Sequence, residues 1–365
     1  MKIFIALDTF FGGAGNIAAI IAEYYSKQNQ NEVFIFLRSP KHHQKKGKKF
    51  ESIYDLSKVK IFGDKDFLGF RTLHKEIIYL NKLIHSINPD IIIAFLSAVG
   101  PQILLSQWFT KVPVIVSERS NPFHDTPSFY YKILRNFSYR RANLITVLFD
   151  SFKLFNKPAF EKNKIKVIPN MILTSKFSKD YSKLSNKISF VTCASLFKVK
   201  QIDLMIKLFS LIHNTFPNTE LNIYGQGIEE TKLKKLVKDM ALTNDIHFKG
   251  HVFNIKECLV LNDIYLMTSK HEGFPNALSE ALSVGLPSIS LKCHDGLSEL
   301  IQNGENGYLI NERDHFKFVE IAKTLINNHS LRKLIGEKAK QSIKKYEYNR
   351  IMTMWNKHIY SLINK

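Results

Sequence analysis

Two glutamates, Glu272 and Glu280, stand with seven residues between them in the stretch "HEGFPNALSEALSVGLPSIS" (271–290). The chain around them is basic, with 52 Lys+Arg against 32 Asp+Glu. An ionised carboxylate accepts hydrogen bonds and donates none, so its natural small-molecule partner is a hydroxyl, as in the ribose diols of dinucleotide sites. Between the glutamates, Pro275 stands near the first position of a helix, where proline is favoured. A helix start offers unpaired backbone N–H groups and the positive end of the dipole, which suits phosphate. Glu280 lies four residues beyond Asn276 and shares its helix face, while Glu272 precedes the turn and faces a second hydroxylated group. Two carboxylates on hydroxyls with amides on phosphate describe a pocket for a nucleotide sugar. For an isolated pair, the alternative is two solvated surface acids.

The elements that must hold these groups follow from patterning. The runs "KIFIAL", "EVFIFL", "VKIF", "DIIIAF", "VPVIVS" and "NLITVL" read as one series of strands. A second series reads "IKVIP", "ISFVTCAS", "LNIYG", "IHFKG", "DIYLMTS", "PSISL" and "GYLI". Between many of them lie amphipathic stretches such as "TKLKKLVKDMAL", with Leu233, Leu236, Val237 and Met240 at helical spacing. Strands alternating with helices predict parallel sheets covered on both faces, and two series predict two doubly wound α/β halves. The join is expected within 167–187, where regular patterning gives way to Ser and Lys. The turn before Asn276 then sits at the carboxyl end of a parallel strand, where open α/β sheets bind ligands. Gly285 closes the helix that follows.

A length of 365 residues suits two domains, and 45% hydrophobic with 23% charged residues is a globular composition. Cys193, Cys258 and Cys293 are too scattered for a metal site or a disulfide framework and read as thiols of a reducing compartment. The N-terminal apolar run is broken by Asp8 and a glycine pair, without a cleavage site. The run Ile91–Leu105 is interrupted by Pro101 and falls short of the roughly 20 apolar residues of a spanning helix. A cytoplasmic protein without a membrane-spanning segment is expected.

The stretch 271–290 closely resembles the signature of the retaining glycosyltransferases of family 4, in which two glutamates are separated by seven residues. Other segments follow in family order. "GGAGN" after the first strand looks like the N-terminal glycine loop, and "VIPNMI" resembles the entry to the second domain. "LNIYGQGIEETKL", "IHFKGHV" and "GLSELIQNGENGYLI" are similar to the family's later pieces. "VSERSNPF" resembles members that build bacterial surface polysaccharides, O-antigen and capsule among them, and glycans on lipid carriers. The resemblance implies the GT-B architecture, with two Rossmann-like doubly wound domains facing a cleft. It implies an acceptor-binding domain over 1–168, a donor-binding domain over 169–345 and a C-terminal helix over 346–365 that crosses back to the first domain.

The resemblance also assigns roles. Glu280 would hold the donor ribose and Glu272 the transferred sugar, with Gly273, Phe274, Pro275, Asn276 and Ala277 along the diphosphate and sugar. Gly13, Gly225 and His251 would lie beside the donor, His251 through the backbone of its loop. Where such proteins often read Gly-Arg-Leu-x3-Lys-Gly, this chain has "ASLFKVKQ" (194–201). Lys200 takes the place of the lysine that neutralises the diphosphate, Ser195 replaces the arginine, Gln201 replaces the glycine, and Lys198 is a substitute cation. In "SERSNPFHD", Glu118, Arg119 and Asn121 would face the acceptor, while His124 would meet the reacting sugar or be a surface histidine. Glu272, Lys200 and His124 are thus the expected catalytic set. The implied activity moves a hexose or N-acetylhexosamine from a UDP-sugar to a polyprenyl diphosphate-linked oligosaccharide, with no cofactor or metal. The Asp-x-Asp of "GDKD" (63–66) is too short and common a pattern to argue for a metal. A nucleotide-sugar epimerase of the same fold is one alternative, and a basic nucleic-acid-binding protein is another from a different class.

The net charge of +20 asks for an anionic partner. Basic residues cluster without an acid in Lys41–Lys49, and Pro127–Leu144 interleaves Phe129, Tyr130, Tyr131, Phe137 and Tyr139 with Lys132, Arg135, Arg140 and Arg141. Together these predict contact with an anionic membrane surface, against the alternatives of an ordinary core helix or nucleic-acid binding. No nucleic-acid motif accompanies the charge, so nucleic acid is not an expected partner.

Overall fold

The computed structural model describes residues 1–10, 12–38, 54–63, 73–96, 99–121, 129–156, 162–173, 176–182 and 187–364. Its contacts divide the chain into two units, Met1–Met171 with Asn349–Lys365, and Ile172–Tyr348. The basic run Lys41–Lys49, the Asp-x-Asp at 64–66 and His124 lie outside the described residues.

The first unit is built on a seven-stranded sheet with every pairing parallel. Its strands are β1 (Lys2–Leu7), β2 (Glu32–Leu37), β3 (Val59–Phe62), β4 (Ile91–Phe95), β5 (Val114–Ser117), β6 (Leu144–Val147) and β7 (Ile165–Val167). They lie in the order β3-β2-β1-β4-β5-β6-β7. Central strands are buried along nearly their whole length, which is why β1 and β4 read as unbroken apolar runs instead of alternating ones. Helices α1 (Gly12–Ser26), α2 (Leu73–Ile87), α3 (Gly100–Ser106) and α4 (Phe129–Ser138) supply crossovers.

The second unit repeats the plan with six strands. They are β8 (Ile188–Cys193), β9 (Thr219–Tyr224), β10 (Ile246–Gly250), β11 (Ile264–Met267), β12 (Ser288–Lys292) and β13 (Tyr308–Asn311), in the order β10-β9-β8-β11-β12-β13. The helices are α5 (Ile202–Thr215), α6 (Glu230–Asp239), α7 (Ile255–Leu259), α8 (Asn276–Ser283), α9 (His315–Asn327) and α10 (His329–Ser342). Phe190, Ile223, Leu266 and Ile289 from the sheet pack with Phe209 of α5 and Phe318 of α9 in one apolar core. Both units are Rossmann-like and doubly wound: strand order reverses next to β1 in the first and next to β8 in the second.

One strand changes series. "IKVIP" was expected to open the second half, but β7 pairs in parallel with β6, Ile145 opposite Ile165, and completes the first sheet. The final helix, α11 (Tyr348–Ile363), returns to the first unit. Its Trp355 is fully buried with its ring 6.3 Å from that of Phe95, and Asn356 is bonded by the hydroxyls of Tyr24 and Tyr25 in α1.

Candidate functional site

In the second sheet the order reverses between β8 and β11, and the loops leaving those two strands are stitched together. After β8 the chain makes a 3-10 turn, Lys198–Lys200, before α5. Lys270 donates its backbone N–H to the carbonyl of Val199 (2.8 Å), and the Thr268 hydroxyl donates to the carbonyls of Lys200 (3.2 Å) and Gln201 (3.0 Å). Across this seam the Lys200 ammonium meets the Glu272 carboxylate at 2.6 Å. Both side chains are largely covered, with 21% and 12% of their surface exposed, yet each still reaches solvent. Lys198, on the same turn, is exposed.

Gln201 turns the chain from the 3-10 segment into α5 with φ +49° and ψ +44°. This left-handed conformation favours glycine, which accounts for the glycine expected at this position by resemblance. On the far side of β8, Gly225 is another forced position. Its φ is +137°, and a Cβ there would stand 1.8 Å from the carbonyl oxygen of Ala194. The loop after β9 therefore lies flat against the loop after β8, with Leu196 donating to the carbonyl of Gln226 at 2.9 Å.

After β11 the turn enters α8, with Pro275 as the residue before the first helical one. Ser279 N–H reaches back to the Pro275 carbonyl (3.0 Å) and Asn276 N–H to Phe274 (2.9 Å). The amides of Ala277 and Leu278 belong to the first turn, whose donors have no acceptor within the helix. The helix ends as expected at Gly285, where Leu286 N–H bonds back to the Ala281 carbonyl at 3.0 Å.

Glu280 projects from α8 as a partly buried carboxyl. Burial pushes its pKa up to about 7, and the nearby Lys256 ammonium only partly offsets this. Burial in turn pulls the Lys256 ammonium down, with Glu280 opposing, while Lys256 donates to the Leu173 carbonyl at 2.5 Å. The Cys193 thiol, at the end of β8, is pushed up to about 12 by burial and by the neighbouring Glu280. The sequence marked Cys193 as one of three scattered thiols but did not single out Lys256, whose place beside Glu280 depends on α7 and α8 packing side by side. No residue spacing signals that contact.

Other residues of the turn behave differently from expectation. Phe274 and Pro275 are buried, and the Phe274 ring packs edge-on against Tyr346, 5.6 Å between centroids. Their side chains anchor the turn from beneath. Gly273, Asn276 and Ala277 remain half-buried at the surface of the turn. His251 is exposed beyond β10 with its ring against Phe253, and Gly13 is half-buried in the first turn of α1 in the other unit.

In the first unit, the loop after β5 corrects the expected acceptor-side role of Arg119. Its guanidinium donates to Ser117 Oγ (2.7 Å), the Ile168 carbonyl (2.7 Å) and Asn170 Oδ1 (3.2 Å). It also lies over the rings of Trp355 and Phe95, at 5.3 and 5.8 Å, and burial pulls its pKa down to about 9. This is an interior strut. Glu118 is buried as well and accepts the hydroxyl of Tyr139, whose pKa burial raises far above the tyrosine range. Asn121 is buried next to them. Among the described residues, no group of three or more His, Cys, Asp or Glu is arranged to hold a metal ion.

With this geometry in hand, three comparisons bear on the chain. Residues 174–342 match the family model described as glycosyl transferases group 1. A Campylobacter jejuni protein named as an α-1,4-N-acetyl-D-galactosaminyltransferase acting on a diphosphoundecaprenol-linked trisaccharide is 26% identical over all of this chain and 99% of its own length. An uncharacterized glycosyltransferase of Haemophilus influenzae is 28% identical over 58% of this chain, which spans 59% of that protein. Among solved structures, Anabaena HepE in complex with UDP and glucose superposes with a TM-score of 0.84 at 18% identity, covering 99% of this chain and all of that one.

Proposed function

We propose that this chain, whose residues 174–342 match the group 1 glycosyltransferase family, transfers a hexose or N-acetylhexosamine, with retention, from a UDP-sugar to a polyprenyl diphosphate-linked oligosaccharide. The observation that carries this reading is the seam at the second sheet's reversal point, where Lys200, Glu272, the start of α8 and Glu280 converge. One cation and a helix start are suited to the donor diphosphate, and two carboxylates are suited to hydroxyls on either side of it.

In this reading Glu280 accepts the ribose hydroxyls and Glu272 a hydroxyl of the transferred sugar. Lys200 then exchanges its partner, turning from Glu272 to the diphosphate. As the glycosidic carbon–oxygen bond breaks, charge grows on the departing phosphate oxygen, and Lys200 and the α8 amides are positioned to stabilise it. The acceptor hydroxyl attacks from the same face and hands its proton to that oxygen, so no protein nucleophile is required. Rate enhancement would come from positioning and electrostatics. The lipid-linked acceptor is supported by the Campylobacter relative's named substrate, and such an acceptor would hold the protein at the cytoplasmic face of a membrane. No helix among the described residues is long and apolar enough to cross one.

The test is calorimetric titration with UDP and with GDP, on wild type and Glu280→Ala. UDP binding that weakens at least tenfold in the variant is expected; no binding of either nucleotide by folded wild type would sink the donor assignment. Nucleoside diphosphate released from a UDP-sugar without any acceptor would point to the epimerase alternative.

A further inference from the structure

Helix α4 is turned inside out. On its inner side lie Arg135 and Ser138, both buried, with Tyr131 beside them. On its outer side Phe129, Tyr130, Ile133 and Phe137 are 72%, 83%, 53% and 48% exposed. At about 100° per residue these four fall within an arc of roughly 100°, the width of the apolar stripe that a surface helix ordinarily buries. The polar side faces the protein and the apolar side faces out.

A second segment joins this face. Phe109, in the turn after α3, is 98% exposed, and its neighbour Trp108 stacks on Phe137 with ring centroids 4.9 Å apart and planes 6° from parallel. The turn is held in place: Arg141 donates to the carbonyls of Gln107 (3.2 Å), Thr110 (2.6 Å) and Val112 (3.2 Å). A phenylalanine fixed in water on a pinned turn calls for a partner that removes it from water.

The charge around the patch is one-sided. Between Val99 and Phe149 the sequence holds two acids, Glu118 and Asp125; Glu118 is buried and Asp125 lies outside the described residues. Lys111, Lys132 and Arg140 are exposed in the same segment. Protruding aromatic residues bordered by cations suit a penetrable, negatively charged surface.

We propose that Phe109 and the outer face of α4 form a wedge that inserts into the headgroup region of an anionic bilayer. This rests on the reading of a membrane-held acceptor, and it divides the basic-aromatic stretch into parts. Arg135, Arg141 and Tyr139 are structural, while Phe129, Tyr130, Ile133 and Phe137 are the contact, with Phe109 added from a segment that the sequence did not mark.

The experiment is co-sedimentation of the full chain with phosphatidylcholine vesicles containing about one third phosphatidylglycerol, against pure phosphatidylcholine. Trp108 fluorescence is a second readout, since the chain's other tryptophan, Trp355, is fully buried. Wild type is expected to bind the anionic vesicles with a blue shift, and Phe109→Ser/Tyr130→Ser to bind at least tenfold more weakly without one. Both positions are exposed, and an unchanged thermal melt checks that the variant folds. Wild type that ignores anionic vesicles, or a variant that binds them equally well, overturns the proposal. A dimer that the same double substitution dissolves, without vesicle binding, overturns it in favour of a second copy. UDP titration of the same samples separates the two readings: the variant should keep wild-type nucleotide affinity, whereas wild type that binds vesicles but no nucleotide defeats only the donor assignment.

Discussion

The carboxyl edges of the two sheets present charged residues in opposite states. At the second sheet, Lys200, Glu272 and Glu280 sit in a polar seam that solvent still reaches. At the first, Glu118 and Arg119 follow a strand end just as directly, yet they are buried and engaged with Tyr139, Ser117, Ile168, Asn170 and two aromatic rings. Both sheets reverse their strand order beside their first strand, so the fold offers each a ligand crevice. What differs is access: Arg119 keeps one guanidinium nitrogen without a hydrogen-bond partner, but that nitrogen is shut away from solvent. A charged residue at a strand end is evidence of a site only while a ligand can reach it.

The comparison breaks or sharpens in order of effect. Lys200→Ala should reduce turnover about 100- to 1000-fold, an oxyanion-type loss of roughly 3–4 kcal/mol, with the fold intact by circular dichroism. Arg119→Met should do the reverse. It strands the Ile168 carbonyl and should lower unfolding free energy by about 2–4 kcal/mol in a denaturant titration, with UDP affinity unchanged. If Arg119→Met instead spares stability and abolishes acceptor use, the contrast between the two edges fails.

A smaller effect concerns pH. In the role proposed for it Glu280 must be ionised to accept donor hydroxyls, and its pKa of about 7 leaves it mostly protonated in mild acid. Affinity for a UDP-sugar, whose diphosphate does not titrate in this range, should rise about tenfold from pH 6 to 8 and level off above about 7. Glu280→Gln should flatten that profile. The same raised pKa works against stability: the native state holds a proton that the unfolded chain has released, so unfolding free energy falls as pH rises from the ordinary carboxylate range to about 7. The smallest effect is at Gln201. Glycine there relieves the left-handed strain of about 1–2 kcal/mol but adds freedom to the unfolded chain, for a net gain of roughly 0.5–1 kcal/mol.

Much of this was legible from sequence for a definite reason. Central parallel strands buried on both faces leave unbroken apolar runs. Each of the thirteen strands among the described residues overlaps a run that the sequence marked, and the helix start at Asn276 carried its own proline and closing glycine. The error at "IKVIP" arose because a strand's run says nothing about which sheet it joins. The buried states of Arg119 and Phe274 were not legible, because the partners that cover them, Trp355 and Tyr346, come from much later in the chain. Lys256 was invisible for the same reason, and Gln201 was visible only as a departure from an expected glycine.

Trp355 has one more consequence, which concerns time. The ring on which Arg119 and Phe95 rest is synthesised only after the whole of the second unit, although Met1–Met171, the rest of its own unit, is made before it. The second unit, Ile172–Tyr348, is wholly available before that ring appears. During translation the usual order of domain completion is therefore reversed, and the first unit waits with an open core until Asn349–Lys365 has been made. A stop codon before Trp355 would here remove the closing piece of the half that was made first.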